Sequence, residues 1–170
     1  MKASEAEFPT IERLRALFSY DPQTGVLTSK VDRPKRPVGS VIGTRSNHGA
    51  LICRVDYKIL YVHRIVWMLF YGREPIKFID HINGNPADNR IANLREASVQ
   101  ENGWNAPGKN GRLKGAHWSN WEQKWRSSIN VNGTTHHLGW FDAKEDAAKA
   151  YEQASRKMHG AFSFYERGAA

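Results

Sequence analysis

One short segment of the sequence contains side chains suited to metal-assisted hydrolysis of a phosphodiester bond. Asp80 and His81 end an apolar run, and Asn102 stands 21 residues after His81 (102 − 81). The imidazole of His81 titrates near neutral pH and can take a proton from water. The carboxylate of Asp80 and the carboxamide of Asn102 supply hard oxygen atoms, which magnesium and similar divalent ions prefer. These three residues are therefore candidates for a catalytic site.

Short predicted elements must bring these side chains together. The apolar residues before the Asp-His pair predict a strand over 76–82, and residues 93–97 predict a second strand. Ser98 and Glu101 form a capping-box pattern, which predicts that a helix starts there. Asn102 then lies near the beginning of that helix and points back towards the ends of the strands.

The loop between these two strands is crowded with Asn, Gly and Pro. Polar side chains in such a loop usually form local hydrogen bonds to the backbone, and we expect this of Asn83, Asn85, Asp88 and Asn89. The carboxylate of Asp88 is also an alternative metal ligand. The loop is therefore predicted to be held by its own side chains.

At these residues the chain resembles the HNH endonucleases, in the phage and intron-encoded branch where Asn replaces the last His. His81 precedes Asn93 by 12 residues (93 − 81), and this spacing suits the family pattern, as does the spacing to Asn102. The resemblance implies that Asp80 and Asn102 hold one divalent metal ion, Mg²⁺ or alternatively Mn²⁺. It also implies that His81 activates water as the general base, while Asn93 orients the loop and the imidazole.

The residues upstream predict a small leader that precedes the catalytic segment. Residues 20–27 and 62–67 are similar to the leader of the phage HNH enzymes. Helical spacing predicts a helix over 10–18, with Thr10 as N-cap, and a second helix over 63–70. Short strands are predicted at 26–29, 38–43, 50–55 and 58–62, in a meander.

Some polar residues of the leader have two interpretations. Lys35 and Arg36 lie in a Pro-punctuated loop that is either a solvated linker or an arm that contacts DNA phosphates. Arg64 either contacts a phosphate or forms a surface ion pair. His63 is either a second active-site histidine or a hydrogen-bonded structural residue at the start of a helix.

Residues 112–164 resemble a second module, the ethylene-response-factor (APETALA-type) DNA-binding domain, which some phage HNH enzymes carry. The resemblance lies in Lys114-Gly115-Ala116, Lys124-Trp125-Arg126, His137-Leu138-Gly139-Trp140-Phe141 and the Ala-rich segment up to His159-Gly160. The plant domains usually have Trp where His137 stands, so their scheme of base contacts is not transferred intact. The resemblance implies that a three-stranded sheet binds DNA.

The pattern of this module predicts three strands and one helix. The strands are expected at 116–118, 124–131 and 134–140, and Asn132-Gly133 is a strong signal for a two-residue hairpin. Asp142 is expected to cap the last helix, with Glu145 completing a capping box. The Ala-rich face of that helix should pack closely on the sheet.

Strand alternation identifies the candidate DNA contacts of this module. Lys124, Arg126 and Ser128 should lie on one face of the second strand, while Trp125 and Ile129 lie on the face covered by the helix. In this class of module the open face of the sheet lies on DNA. Lys124 and Arg126 are therefore predicted DNA contacts, together with Lys114 and His137.

Composition limits the classes of protein that fit the sequence. The chain has 170 residues, a net charge of +8 and a pI near 9.7, which favour a polyanionic partner such as double-stranded DNA. Cys53 is the single cysteine, which excludes an intramolecular disulfide and a Cys-rich zinc finger and fits a reducing compartment. No apolar segment is long enough to cross a membrane, and residues 1–7 contain no signal-peptide segment. We expect a soluble cytoplasmic protein, in the host cytoplasm if phage-encoded, that is a monomer or a weak dimer.

Together these patterns predict an α+β protein with two modules. Residues 1–108 form an HNH nuclease domain with a β-meander leader and a ββα-metal core at about 76–106. Residues 112–165 form a three-stranded antiparallel sheet packed on one helix. The predicted function is a metal-dependent DNA endonuclease, of the kind found as phage homing enzymes. The alternatives are a DNA-binding regulatory protein with a vestigial nuclease unit and a structural RNA-binding protein, which explains the charge but not the catalytic residues.

Overall fold

The computed structural model describes residues 8–108 and 112–167. The chain divides between Glu96 and Ala97 into two compact units. Residues 1–7, for which the sequence predicts no signal peptide, and residues 109–111, between the two predicted modules, lie outside the described residues. In the part of the chain that is described, no helix combines the length and hydrophobicity needed to span a bilayer.

The first unit combines helices with small antiparallel sheets. Its elements are α1 (Ile11–Leu17), β1 (Phe18–Tyr20), β2 (Leu27–Ser29), β3 (Thr44–Arg45), β4 (Leu51–Val55), β5 (Lys58–Tyr61), α2 (Val62–Tyr71), β6 (Phe78–His81), a 3-10 turn (Ile91–Asn93) and β7 (Leu94–Ala97). Strand β1 pairs with β2, strands β3, β4 and β5 form a meander, and β6 pairs with β7.

Helix α2 lies at the centre of the core of this unit. Its inward face is almost completely inaccessible to solvent at Val62, Ile65, Val66 and Met68. Their helical spacing turns these side chains to one side, where they join Leu14 of α1 and Val55 of β4 in one hydrophobic cluster. The helix ends at Gly72, whose φ of 64° gives the left-handed cap that glycine adopts without strain.

The structure confirms most of the predicted leader and corrects one strand. Thr10 caps α1 through a 3.2 Å bond from the backbone N–H of Arg13, as the sequence predicts. The strand expected over 38–43 is wrong, because the segment makes only an isolated bridge between Val41 and Thr28. Gly39 and Gly43 have φ angles of 85° and 132°, outside the extended conformation that a strand needs.

The second unit places a three-stranded sheet against one long helix. Its elements are α3 (Val99–Asn105), β8 (Ala116–Ser119), β9 (Lys124–Val131), β10 (Thr134–Phe141), α4 (Lys144–His159) and 3-10 turns at Gly160–Phe162 and Phe164–Glu166. The sheet is antiparallel with β9 in the middle. Asn132 and Gly133 both have positive φ angles, 52° and 83°, which confirms the predicted two-residue hairpin.

The faces of this sheet are distributed as the alternation predicts. Ser127 and Ile129 are buried beneath α4, together with Ala147 and Ser155 of the helix. Arg126 points to the opposite, exposed face. A bulge between His137 and Gly139 shifts the register of β10, and residues up to His137 pair ahead of it.

The start of α4 differs from the prediction. Asp142 does not cap the helix: the N-cap is Ala143, and it makes no side-chain capping bond. The carboxylate of Asp142 instead lies 3.2 Å from the ammonium of Lys124 on β9. The acidic residues at the start of the helix fit either a helix cap or an ion pair. The ion pair forms because Lys124 of the neighbouring strand lies beside Asp142.

Helix α3 packs within the second unit. The indole of Trp104 stacks on the His159 ring with 4.1 Å between centroids, and Arg167 donates a 2.9 Å bond to Oδ1 of Asn105. The compact units therefore divide ahead of α3, whereas the sequence predicts the domain boundary at about residue 108.

Candidate active site

Strand β6 ends in the Asp80-His81 pair, and both side chains are buried, with 5% and 8% of their surface exposed. Ile79 on β6 and Leu94 on β7 belong to the hydrophobic core, which fixes the two strands against the rest of the first unit. The polar pair is therefore held at the end of a rigid element.

His81 is the residue best suited to act as a base. Its Nε2 lies 3.1 Å from Oδ1 of Asn89. Burial lowers the pKa of His81, although the Asn89 bond and the charges of Asp80 and Asp88 act in the opposite direction. The imidazole is therefore uncharged at neutral pH, which is the form that can accept a proton.

The carboxylate of Asp80 is paired with Arg95 of β7. The guanidinium Nε donates a 2.8 Å bond to Oδ2 of Asp80, and Nη2 lies 2.7 Å from the same oxygen. Only 15% of the Arg95 side chain is exposed, so the ion pair is largely shielded from water. The positive charge of Arg95 compensates the negative charge of Asp80. The pair fixes the position of the carboxylate beside His81.

Asn93 ties the loop between β6 and β7 together. Its Oδ1 accepts a 2.9 Å bond from the backbone N–H of Asn83, and its Nδ2 donates a 2.8 Å bond to the carbonyl of Asp88. Its own carbonyl accepts a 2.9 Å bond from the N–H of Ile82. One side chain thus joins the beginning and the end of the loop.

Asp88 is bound within the same loop. Arg90 donates bonds of 2.8 and 2.6 Å to its two oxygens, and Asn83 donates one of 2.7 Å. The Arg90 bond is the main cause that lowers the pKa of Asp88 to about 2. These contacts give Asp88 the loop-holding role expected of it, because both of its oxygens already accept bonds from Arg90 and Asn83.

His63, at the start of α2, lies against His81. The two rings meet edge to face, with 5.3 Å between centroids, and Tyr61 stacks on His63 at 5.1 Å. Burial is the main cause that lowers the pKa of His63 to about 3, so this imidazole is uncharged as well. Among the described residues, its Nδ1 is buried without a hydrogen-bond partner. The uncharged ring of His63 therefore packs against His81 and forms part of its surroundings.

Asn102 lies on α3, which belongs to the second unit. The predicted capping box is confirmed: Ser98 Oγ accepts from the N–H of Glu101 at 3.2 Å, and Glu101 Oε2 accepts from the N–H of Ser98 at 2.7 Å. The side chain of Asn102 follows this cap and is exposed. Asp80, His81 and Asn93 are thus assembled in the first unit, while Asn102 is presented by the second.

The donor atoms fit a hard divalent ion in their chemistry. A carboxylate at Asp80 and a carboxamide at Asn102 are oxygen ligands, and Mg²⁺ prefers few protein oxygens together with water. No group of three or more His, Cys, Asp and Glu residues is arranged to hold a metal in residues 8–108 and 112–167. Within these residues a divalent ion at Asp80 would therefore need amide or water oxygens besides the carboxylate.

The candidate DNA contacts of the first unit lie on its surface. Arg33 and Arg36 close a turn through a 2.9 Å backbone bond, in which Lys35 has a φ of 65°. Lys35 and Arg36 are both exposed. The guanidinium of Arg64 lies 5.4 Å from the centre of the Phe8 ring.

The candidate contacts of the second unit are in different environments. Lys114 donates bonds of 2.9 and 2.7 Å to the carbonyls of Trp104 and Ala106, and burial lowers its pKa. Its ammonium thus holds the end of α3 and is engaged within the protein, unlike the exposed candidates. Arg126 and His137 are exposed, and Lys124 is exposed beside Asp142.

Sequence reasoning did not find two partners of the catalytic pair. The loop pattern indicates Asn89 only as one amide among several, and no sequence pattern assigns a role to Arg95. Both contacts depend on how β7 and the loop return to β6, which residue spacing does not specify. The signal that existed was the excess of Asn in the loop, which indicates hydrogen bonding without naming the partner.

These observations describe an uncharged buried histidine beside a fixed carboxylate, followed by a loop held by amides. The sequence pattern of the HNH endonuclease family matches residues 60–104, which include all of β6, the loop and β7. The chain belongs to this family. It is an HNH endonuclease, an enzyme whose substrate is DNA.

Its similarity to viral proteins extends further along the chain. Protein 3.8 of Escherichia phage T7 is 37% identical over 118 residues, which are 65% of this chain and 97% of the phage protein. An uncharacterized HNH endonuclease, L560, of Acanthamoeba polyphaga mimivirus is 29% identical over 110 residues, 64% of this chain. The match covers 58% of the mimivirus protein. No solved structure is significantly similar.

Proposed function

We propose that this endonuclease cleaves double-stranded DNA with His81 as general base and one divalent metal ion held by Asp80 and Asn102. The main support is the uncharged imidazole of His81 beside the fixed carboxylate of Asp80. Mg²⁺ suits the oxygen ligands best, and Mn²⁺ is the alternative. This assignment rests on the family resemblance together with the geometry around His81.

The proposed reaction is hydrolysis of a P–O3′ bond. His81 takes a proton from a water molecule while the water oxygen attacks the scissile phosphorus, and the bond to the 3′ oxygen breaks. The 3′ oxygen takes a proton from solvent, so the products carry a 5′-phosphate and a 3′-hydroxyl. The bound ion would stabilise negative charge on the phosphate and the departing oxygen. Asn93 keeps the loop in place around His81 throughout.

Purified protein with supercoiled plasmid tests this proposal. We expect nicked or linear plasmid in the presence of Mg²⁺ or Mn²⁺ and no cleavage in the presence of a chelator. End-labelling of the products should detect 5′-phosphates. Binding of DNA without cleavage under all metal conditions would favour the alternative, a DNA-binding regulatory protein with a vestigial nuclease unit.

We further propose that the sheet of the second unit binds DNA in the manner of the ethylene-response-factor module. Its exposed face carries Arg126 in the central strand, and the register places His117 and Trp140 on either side of it. His137 stands opposite Ser128 on the same face. A basic residue between flat aromatic rings suits the edges of bases and the sugar-phosphate backbone.

Replacing Arg126 with Ala should weaken DNA binding. If the guanidinium contacts a guanine, we expect a loss of about 1–3 kcal/mol for the specific site. If it contacts a phosphate, affinity should fall for all sequences and depend less on salt concentration. Fluorescence anisotropy at several salt concentrations separates the two contacts.

Arg156 supplies the matched control for this substitution. It lies on α4, where it forms ion pairs with Glu152 and Glu166, and its replacement by Ala removes the same charge from the same unit. We expect that variant to bind DNA within about twofold of the parent protein, because Arg156 lies on α4, which covers the face of the sheet opposite to Arg126. Equal losses in both variants would show that only net charge matters and would remove the sheet face from the proposal.

The biological setting that fits best is a phage-encoded homing endonuclease acting in the host cytoplasm, as a monomer or weak dimer. The viral origin of both relatives supports a phage setting. Homing would be supported by cleavage at a single site in DNA that lacks this gene, at the position where the gene is otherwise inserted. Cleavage without site preference would argue for another role in phage DNA metabolism.

A further inference from the structure

Asn89 lies near the end of the loop between β6 and β7, and only 1% of its surface is exposed. Its Oδ1 is 3.1 Å from Nε2 of His81, and its Nδ2 is buried with no hydrogen-bond partner among the described residues. A buried asparagine with a purely structural role normally satisfies both halves of its amide. In Asn89 the Oδ1 atom contacts His81, whereas the Nδ2 donor has no hydrogen-bond partner among the described residues.

This contact determines which nitrogen of His81 carries the proton. A carboxamide oxygen only accepts hydrogen bonds, so with Oδ1 of Asn89 facing the ring the protonated nitrogen is Nε2, which donates to it. An uncharged imidazole has one N–H, and the lone pair therefore belongs to Nδ1. Nδ1 is then the atom that can take a proton from water.

Two residues of the leader, Tyr20 and Gly25, contact the backbone of Asn89. The hydroxyl of Tyr20 donates a 2.7 Å bond to the carbonyl of Asn89, and burial raises the pKa of Tyr20, which keeps this donor protonated. Gly25, with a φ of 75°, packs so closely that a Cβ there would lie 2.7 Å from the carbonyl carbon of Asn89. The turn at 21–25, closed by a 2.9 Å bond from the N–H of Gly25 to the carbonyl of Asp21, thus packs against the residue that contacts His81.

We infer that Asn89 is a positioning residue, which fixes His81 as the Nε2–H tautomer with Nδ1 as its basic nitrogen, and that Tyr20 and Gly25 hold Asn89 in place. This inference rests on the proposed role of His81 as general base. It gives the leader a function in catalysis, because β1 and its turn set the position of an imidazole at the end of β6.

Nuclear magnetic resonance can test the tautomer without any cleavage. Long-range proton–nitrogen spectra of protein labelled with ¹⁵N in histidine, with Mg²⁺ and at about pH 8.5, detect uncharged rings. The signals of His81 are assigned by their loss in a His81→Gln variant. We expect Nε2 to carry the proton. An Nδ1–H tautomer in the parent protein would overturn the inference.

Two substitutions that keep four side-chain heavy atoms branched at Cγ separate positioning from packing. Asn89→Leu removes the acceptor, and we expect kcat to fall by about 10- to 100-fold, as when a supporting hydrogen-bond partner of a site residue is lost. KM should stay the same, because Asn89 is buried and its side chain cannot contact the substrate directly. Asn89→Asp keeps an acceptor and should retain the Nε2–H tautomer and most of kcat at about pH 8.5. Equal losses of kcat in the two variants would contradict a role through the acceptor.

The milder Tyr20→Phe variant removes only the hydroxyl bond to the Asn89 carbonyl. We expect a smaller fall in kcat than for Asn89→Leu and a partial loss of the tautomer preference. An unchanged kcat and an unchanged spectrum would remove the leader from the inference. This variant also provides a result if Asn89→Leu does not fold.

The experiments distinguish this inference from the proposed function. If the parent protein has the Nε2–H tautomer but does not cleave DNA, the proposed reaction fails while the positioning contact stands. If cleavage requires His81 but Asn89→Leu keeps full kcat, the reaction stands and the role of Asn89 is wrong.

Discussion

The His81→Ala variant is expected to lose DNA cleavage while its affinity for DNA stays nearly unchanged. A general base contributes about 10²- to 10⁴-fold to a rate, so the residual rate should fall near the detection limit of a plasmid assay. The imidazole is buried and uncharged, and it therefore adds little to the binding of a polyanion in the ground state. Single-turnover cleavage and anisotropy with chelator present measure the two quantities separately.

His48 offers a matched control in the same unit. It is exposed in the turn before β4, so His48→Ala removes an equal side chain without touching the site. This variant should cleave DNA at the parental rate. Circular dichroism should show that both variants are folded. Substantial cleavage by folded His81→Ala at saturating metal would exclude His81 as the general base.

The sequence predicts those parts of the fold whose signals are local. The capping box of Ser98 and Glu101 and the hairpin at Asn132-Gly133 each depend on residues within one turn, and both are confirmed. The Thr10 cap is confirmed for the same reason. Each of these contacts is made within a few residues along the chain.

The predictions fail where distant residues compete with a local pattern. Asp142 fits a helix cap by sequence, yet Lys124 of the neighbouring strand takes its carboxylate. Residues 38–43 contain strand-forming side chains, but the conformations of Gly39 and Gly43 prevent a continuous ladder. In both cases the energy difference between the alternatives depends on tertiary context.

The same distinction applies to the candidate site. The Asp-His pair is recognisable because adjacent residues at the end of a strand need no tertiary information. The contacts of Arg95 with Asp80 and of Asn89 with His81 span 15 and 8 residues, and they depend on how the loop returns to β6. Spacing can therefore identify the reacting groups, whereas the groups that position them emerge only from the folded chain.

Loss of either proposed metal ligand should raise the metal concentration that cleavage requires and lower the rate, but the two variants should differ in stability. Asp80→Ala leaves the guanidinium of Arg95 buried without its carboxylate, and breaking a buried pair in this way costs about 3–5 kcal/mol. Asn102 is exposed on α3, so Asn102→Ala should change stability by less than about 0.5 kcal/mol. Thermal unfolding measures this difference, and cleavage against metal concentration measures the weakened metal dependence.

Two further variants control for the loss of the ion pair. They are the conservative Asp80→Asn and the double variant Asp80→Ala/Arg95→Met. The double variant removes both charges and should recover much of the stability without recovering cleavage. Addition of a chelator to the parent protein should stop cleavage and leave the melting temperature unchanged, because the buried core of α1, α2 and β4 holds the first unit together without a metal. A catalytic ion of this kind is held by few ligands, unlike a structural zinc ion that carries the fold. A large fall in melting temperature on chelation, or full cleavage by Asn102→Ala at low metal concentration, would contradict the proposed site.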